Sequence, residues 1–207
     1  MKRNLKIFSI GYVAFLVLSV ISCVPNCGGA IEGRYSVFSF NWTIKNIVED
    51  DNGHFILGDV INNTISYDEF GIILNTDTYL IALKTENVNL LQSAYACEPA
   101  VHALIEDKLE NITIRCTNDF NSDFIAGTDL KSLFDVIISG QRNQYTQQKS
   151  DLVEYIDSNP FISEQMTLVL KSPPTVSGNY QFEVKISVEG DDLENFEFIT
   201  DETTIGL

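Results

Sequence analysis

The sequence predicts a mainly β chain, an antiparallel β-sandwich with one or two short helices in its connections. Three observations carry that expectation. Tyr180, Phe182, Val184, Ile186 and Val188 alternate without error against Gln181, Glu183, Lys185, Ser187 and Glu189. A strand sends successive side chains to opposite faces, so a period of two marks one buried and one wet face, the antiparallel pattern. Shorter stretches of the same period recur at residues 38–45, 112–116 and 165–171. Turn residues separate them, and several short strands spaced by turns are the signature of a sandwich.

The chain starts differently. Lys2, Arg3 and Lys6 precede an apolar run over residues 7–21. That run is shorter than the roughly 20 residues a membrane-spanning helix needs, and it suits the apolar segment of a signal peptide. Val20-Ile21-Ser22-Cys23 has the order of a lipobox, the site where bacterial lipoproteins are cut ahead of a cysteine that carries lipid. The expected organisation is a signal peptide over residues 1–22, lipidation at Cys23, a tether over residues 23–34 and one sandwich over residues 35–207. The tether holds Pro25 and the Gly28-Gly29 pair, which favour a flexible spacer. An uncleaved anchor and a plain secretory signal are the competing readings. Val24 rather than Asp follows Cys23, which by resemblance to enterobacterial sorting favours the outer membrane; whether the domain faces periplasm or surface stays open.

Charge narrows the partners. The chain carries a formal net charge of −16, and the leader holds three basic and no acidic residues, so cleavage would take the mature net charge to −19. Such a surface repels phosphate backbones, and no nucleic acid partner is expected. The expected partners are the membrane, through the N-terminal lipid, and an envelope protein or glycan. Export permits disulfides. With Cys23 acylated, a bridge can join Cys97 to Cys116, or Cys27 to Cys97; the third arrangement keeps all three thiols reduced, with Cys116 in the core. No Cys/His spacing marks a zinc site, and no cofactor is implied.

Along the domain, Phe38, Phe40, Trp42 and Ile44 share one face of a first strand, and residues 50–53 form a turn. Phe55-Ile56-Leu57 and Val60-Ile61 are short apolar pieces. Strands at residues 71–74 and 79–83 flank Asn75-Thr76-Asp77, a hairpin-like break. Residues 98–107 fit a short helix or an extended stretch equally. Ile112, Ile114 and Cys116 make a strand. Asp129 is placed to cap a helix in which Leu130, Leu133, Phe134 and Ile137 keep helical spacing. A polar loop at residues 140–149 leads to a second helix, capped by Ser150 or Asp151, with Leu152, Tyr155 and Ile156 inside and Asn159-Pro160 as its stop. Met166, Leu168 and Leu170 begin the clearest region. Pro173-Pro174 and Gly178-Asn179 turn the chain, residues 190–192 turn it again, and Phe196 and Phe198 start the final strand.

The catalytic inventory is thin. His54 and His102 sit in no nucleophile or metal motif, and the chain has no Gly-x-Ser-x-Gly, His-Glu-x-x-His or phosphate loop. No catalytic residues are assigned, and a hydrolase is the least favoured class. Asp119, Asn121 and Asp123 match the first three ligands of a calcium loop, but Phe124 stands where the turn needs Gly and Leu130 where the bidentate Glu belongs. An irregular Ca²⁺ site that adds Asp129 competes with a polar loop of Asx turns. Trp42 with Tyr67 and Tyr79 can form a sugar-stacking platform; the face Trp42 shares with Phe38 and Phe40 favours core packing instead.

The segments Ser93-Ala94-Tyr95-Ala96-Cys97-Glu98-Pro99, Ile112-Thr113-Ile114, Asn118-Asp119-Phe120 and Ala126-Gly127-Thr128-Asp129-Leu130, with the lipobox and the alternating run from Phe182 to Gly190, resemble a Bacteroidota lipoprotein family of unknown function. The resemblance covers most of the mature chain. It implies an immunoglobulin-like sandwich and an envelope location, and brings no established activity. Within the envelope, a non-enzymatic binding module competes with a fimbrillin-like fibre or adhesin subunit that assembles by strand donation. Arg115-Cys116 departs from the family pattern and leaves its disulfide pairing open.

Overall fold

The computed structural model describes residues 31–84, 101–139, 147–189 and 193–207. The leader, Cys23, Cys27, Cys97, residues 140–146 of the polar loop and the turn at residues 190–192 lie outside the described residues. The chain divides into two compact units, and the description concerns the larger, residues 32–84 and 103–207. Among the described residues no helix is long and apolar enough to cross a membrane.

The described strands are β1 (Ile31–Glu49), β2 (Phe55–Gly58), β3 (Thr64–Ser66), β4 (Phe70–Lys84), β5 (Val101–Ile105), β6 (Lys108–Cys116), β7 (Phe134–Ser139), β8 (Gln148–Asp151), β9 (Gln165–Leu170), β10 (Gly178–Tyr180), β11 (Phe182–Glu189), β12 (Leu193–Ile199) and β13 (Thr203–Gly206). One helix, α1 (Leu152–Asp157), lies between β8 and β9. The largest sheet has the order β2-β1-β4-β9-β7-β8, with β5 also on β1. A second runs β12-β11-β6, and a third β10-β13-β3. The expected mainly β sandwich is what forms. Among the pairings whose direction is described, β13 lies parallel to β3 and the others are antiparallel.

Alternation explains the core. Phe182, Val184, Ile186 and Val188 of β11 join Leu109, Ile112, Ile114 and Cys116 of β6 on one wall. Ile72, Leu74, Met166, Leu168 and Leu170 of β4 and β9, with Phe134, Val136 and Ile138 of β7, form the other. The Phe182 ring sits 5.3 Å from that of Phe70 and 6.0 Å from that of Phe134. Each fully buried side chain of this size contributes about 1.5–3 kcal/mol. The opposite face of β11 is wet, and its charges meet opposite ones across the ladder, Glu183 beside Arg115 and Lys185 beside Glu197.

The largest sheet buries its other face too. Ile47, Ile73, Ile137 and Val169 are all buried there, with Phe55 packed against Ile47, Ile137 and Val169. Gln147, just before β8 at one edge of the sheet, accepts the Phe55 N–H and donates to the Phe55 carbonyl in β2 at the other edge. The two edges thus meet over this second apolar cluster. Gly71 makes room for it, since a Cβ there would lie 2.4 Å from Ile47 Cγ1.

Five local expectations change. Phe38 does not share the core face with Phe40. Val37 pairs with Thr78 and Ser39 with Asp77, so Phe38 is the extra residue of a β-bulge that reverses the alternation. Val37 turns inward and Phe38 outward. Asn75-Thr76-Asp77 is no break, because β4 runs straight through it. Each polar side chain finds a partner on a neighbouring segment: Asn75 accepts from Gln165, the Thr76 hydroxyl donates to the Ser163 carbonyl, and Asp77 accepts from Ser39 and Asn41. The helix expected after Asp129 is a single turn at Lys131–Leu133, followed by strand β7. Its apolar spacing imitates a helix because β7 is buried on both faces, Phe134, Val136 and Ile138 on one and Ile137 on the other. Gly178 and Asn179 belong to strand β10, and β12 is followed by β13 as the last strand.

The second helix forms as expected. Asp151 Oδ1 accepts the N–H groups of Val153 and Glu154, and Asn159 takes a positive φ of 49° just beyond the end. Residues 101–105 of the ambiguous stretch are extended in β5. The Asp151 carboxyl is held below the usual carboxylate range, first by its hydrogen bond from Lys171 and then by the helix N–H of Glu154.

Two measurements follow from this packing. Gly71→Ala is expected to cost about 1–3 kcal/mol by overpacking against Ile47. In urea melts, the Gly71→Ala/Ile47→Ala pair should lose less than the sum of its singles; strict additivity rejects the contact. Asp151→Asn keeps a capping oxygen and loses the Lys171 pair. A lowered folded pKa stabilises above the unfolded value and ceases to as pH falls through the folded one. The variant should therefore be less stable at pH 7 by up to ~1 kcal/mol at low salt. The gap should close as pH drops below about 4. A gap independent of pH contradicts the ion pair.

Candidate functional site

Strand β12 has the sequence Leu-Glu-Asn-Phe-Glu-Phe-Ile and pairs with β11 on one side. Thr200, next after it, donates its N–H to the Phe182 carbonyl. In an antiparallel pair every second residue turns its backbone to the partner. Phe198 and Phe196 therefore complete the ladder, while Asn195, Glu197 and Ile199 point their N–H and C=O groups to the edge. No described strand pairs with that edge. An unpaired row of this kind is a template for an added strand.

The opposite edge of the same sheet is occupied. Gly127 and Leu130 donate their N–H groups to the Cys116 and Ile114 carbonyls, and Leu109 donates to the Pro160 carbonyl. The edge at β12 is backed by aromatic packing. The Trp42 ring stacks on Phe198 at 5.4 Å and 10°, and the Phe40 ring meets Phe196 edge-on at 5.1 Å. Glu194, Asn195, Glu197 and Ile199 are exposed. The result is an acidic, solvent-facing strand with aromatic packing behind it.

The aromatic platform does not assemble. Trp42 is half-buried on Phe198, and Tyr67 packs against the core. Tyr79 is exposed, paired opposite Ser36, six residues from Trp42 along β1 and thus about 20 Å away. Asp119 and Asn121 are spent on backbone N–H groups of their own loop. Asp119 accepts from the Ala126 N–H, and Asn121 accepts from the N–H groups of Asp123 and Phe124. Phe120 anchors the loop, its ring 5.6 Å from that of Tyr180. Asp129 binds elsewhere, accepting from the Ile114 and Lys131 N–H groups. Among the described residues, no three His, Cys, Asp or Glu side chains gather closely enough to hold a metal ion.

Cys116 is a free thiol in the core, and burial pushes its pKa up. Cys27 and Cys97, the other members of the expected pairings, lie outside the described residues, as does Cys23. His54 closes the turn after β1, its Nδ1 3.6 Å from Asp50. His102 falls on β5, with its side chain outside the description.

Asp107 carries no signature that local sequence reading can find. This carboxylate is buried, and its Oδ2 accepts from the Ser36 hydroxyl and the Val37 N–H, each at 2.6 Å. It clamps the β1 bulge from a segment 70 positions away. A buried N–H left without its acceptor costs about 1–3 kcal/mol, so Asp107→Ala should destabilise by that amount. Hydrogen exchange at Val37 should accelerate more than at Ile112; equal change at both sites would mean a purely global effect.

Residues 43–198 match the model described as Domain of unknown function (DUF5034). No curated protein and no solved structure matches the chain. With most of its length covered by that one match, the chain belongs to the DUF5034 family.

Proposed function

We propose that the protein is a lipid-anchored cell-envelope lipoprotein whose sandwich is a non-enzymatic binding module for a partner protein. The observation that supports binding is the edge of β12, with its outward N–H and C=O groups and its aromatic backing. Strand addition at such an edge takes affinity from main-chain hydrogen bonds and specificity from alternate side chains. Sandwiches, immunoglobulin-like ones among them, offer such edges readily. The location rests on Val20-Ile21-Ser22-Cys23 and the basic, apolar leader before it. Val24 after Cys23 favours, by resemblance to enterobacterial sorting, the outer membrane of a Gram-negative bacterium, and acylation would supply the membrane partner.

A glycan is the alternative ligand, and a surface-fibre subunit the alternative role. The same edge favours the fibre reading when the added strand comes from another copy of the chain. One experiment separates these. A photoreactive residue placed at Asn195 in the full chain should give a discrete adduct with a different protein, and Glu197→Pro should abolish it by removing an edge N–H while sparing the β11 ladder. Adducts in multiples of the chain's own mass select the fibre reading, and an absence of adducts refutes edge binding. Labelling with an alkyne fatty acid should be lost in Cys23→Ser; persistent label there refutes the anchor.

A further inference from the structure

We infer that the exposed apolar end of the β1–β4 ribbon rests on the lipid bilayer that holds Cys23. The inference rests on lipidation at Cys23. Two β-bulges frame this end of the ribbon. In one, Phe38 is the extra residue between Val37 and Ser39; in the other, Ile81 is the extra residue between Leu80 and Ala82. Bulges re-aim side chains, and both of these residues are turned to solvent. Phe38 is 69 % exposed, Tyr79 50 %, Leu80 45 % and Ile81 42 %. Four large apolar or aromatic groups thus crowd one short ribbon end.

Chain length identifies the occupant. Ile31, where β1 starts, lies eight positions after Cys23, and fully extended those eight steps reach at most about 29 Å. As a flexible coil they span on average about 15 Å. Tyr79 and Leu80 pair with Ser36 and Tyr35, only a few residues beyond that start. The apolar end is therefore the end nearest the lipid. Cleavage ahead of Cys23 would leave a net charge of −19, which disfavours attraction to anionic headgroups, so contact must come from apolar and aromatic side chains at the headgroup–acyl boundary. Among the described side chains nearby, Arg34 is engaged with Glu106, Asp77 with Ser39 and Asn41, and Asp107 with Ser36 and Val37.

The other exposed apolar group on this sheet provides the control. Ile56 is 55 % exposed and pairs with Val48, ten residues beyond Phe38 along β1 and about 33 Å farther from the tether. The test uses full-length lipidated protein in phosphatidylethanolamine/phosphatidylcholine vesicles with brominated acyl chains. In a Trp42→Phe background, which removes the single native tryptophan, Phe38→Trp should shift its emission to shorter wavelength and lose intensity to the bromolipid. Ile56→Trp should do neither. A second measurement needs no substitution at the surface: nitration of Tyr79 should be slower in vesicle-bound protein than in soluble Cys23→Ser. If the protein stays on the vesicles but Phe38→Trp is unquenched and Tyr79 reacts equally, the docking surface is refuted and the anchor stands. Equal quenching of both tryptophans also refutes it. If unaltered protein does not stay on vesicles, the anchor itself fails and the docking surface with it.

Discussion

Burial of the Phe182 ring between Phe70 and Phe134 is the contact through which the seven-stranded sheet and the β12-β11-β6 sheet become one core. Phe182 opens β11, and the alternation behind it commits every second residue of that strand to the same wall. The consequences spread outward. β11 holds β12 on one side and β6 on the other, so its position fixes where Phe196 and Phe198 meet Phe40 and Trp42. The aromatic layer behind the β12 edge packs against that same core.

β1 faces a harder constraint. Its 19 residues supply Val37 at one end, Phe40, Trp42 and Ile44 to the main core in the middle, and Ile47 to the second cluster on the opposite face. A regular strand cannot place Val37 and Phe40 on one face, since an odd separation puts them on opposite sides. The bulge at Phe38 resolves this by one extra residue, and Asp107 secures it by accepting the Val37 N–H. The same displacement turns Phe38 outward. An internal packing requirement thereby creates the exposed apolar end that we assign to the membrane.

Several acidic side chains are tied to the backbone. Asp50, Asp107, Asp119, Asp129 and Asp151 each accept main-chain N–H groups, and so hold turns, a bulge, a loop and a helix end. In the proposed reading, recognition falls to the backbone of β12 and to exposed apolar side chains. The lipid would fix orientation as well as location, with one end of β1 against the bilayer.

What the sequence determined by itself was the class of fold and its regular strands. The period of two in β6, β9 and β11 is local, because alternation needs only neighbouring residues to declare a buried face. The cap at Asp151 and the stop at Asn159 were legible for the same reason. The proposed lipobox at Val20-Ile21-Ser22-Cys23 is a linear signal that requires no fold, and it lies outside the described residues. Tertiary structure decided the rest. Asn75, Thr76 and Asp77 continue a strand because partners distant in sequence satisfy their polar groups. Phe134 to Ile138 is a strand because a second cluster buries the face that helical spacing left ambiguous. Phe38 faces water because Asp107, 70 positions from Val37, holds the bulge. The free edge of β12 exists only once the sheet has a strand order, and strand order is set by long-range burial that local periodicity does not encode.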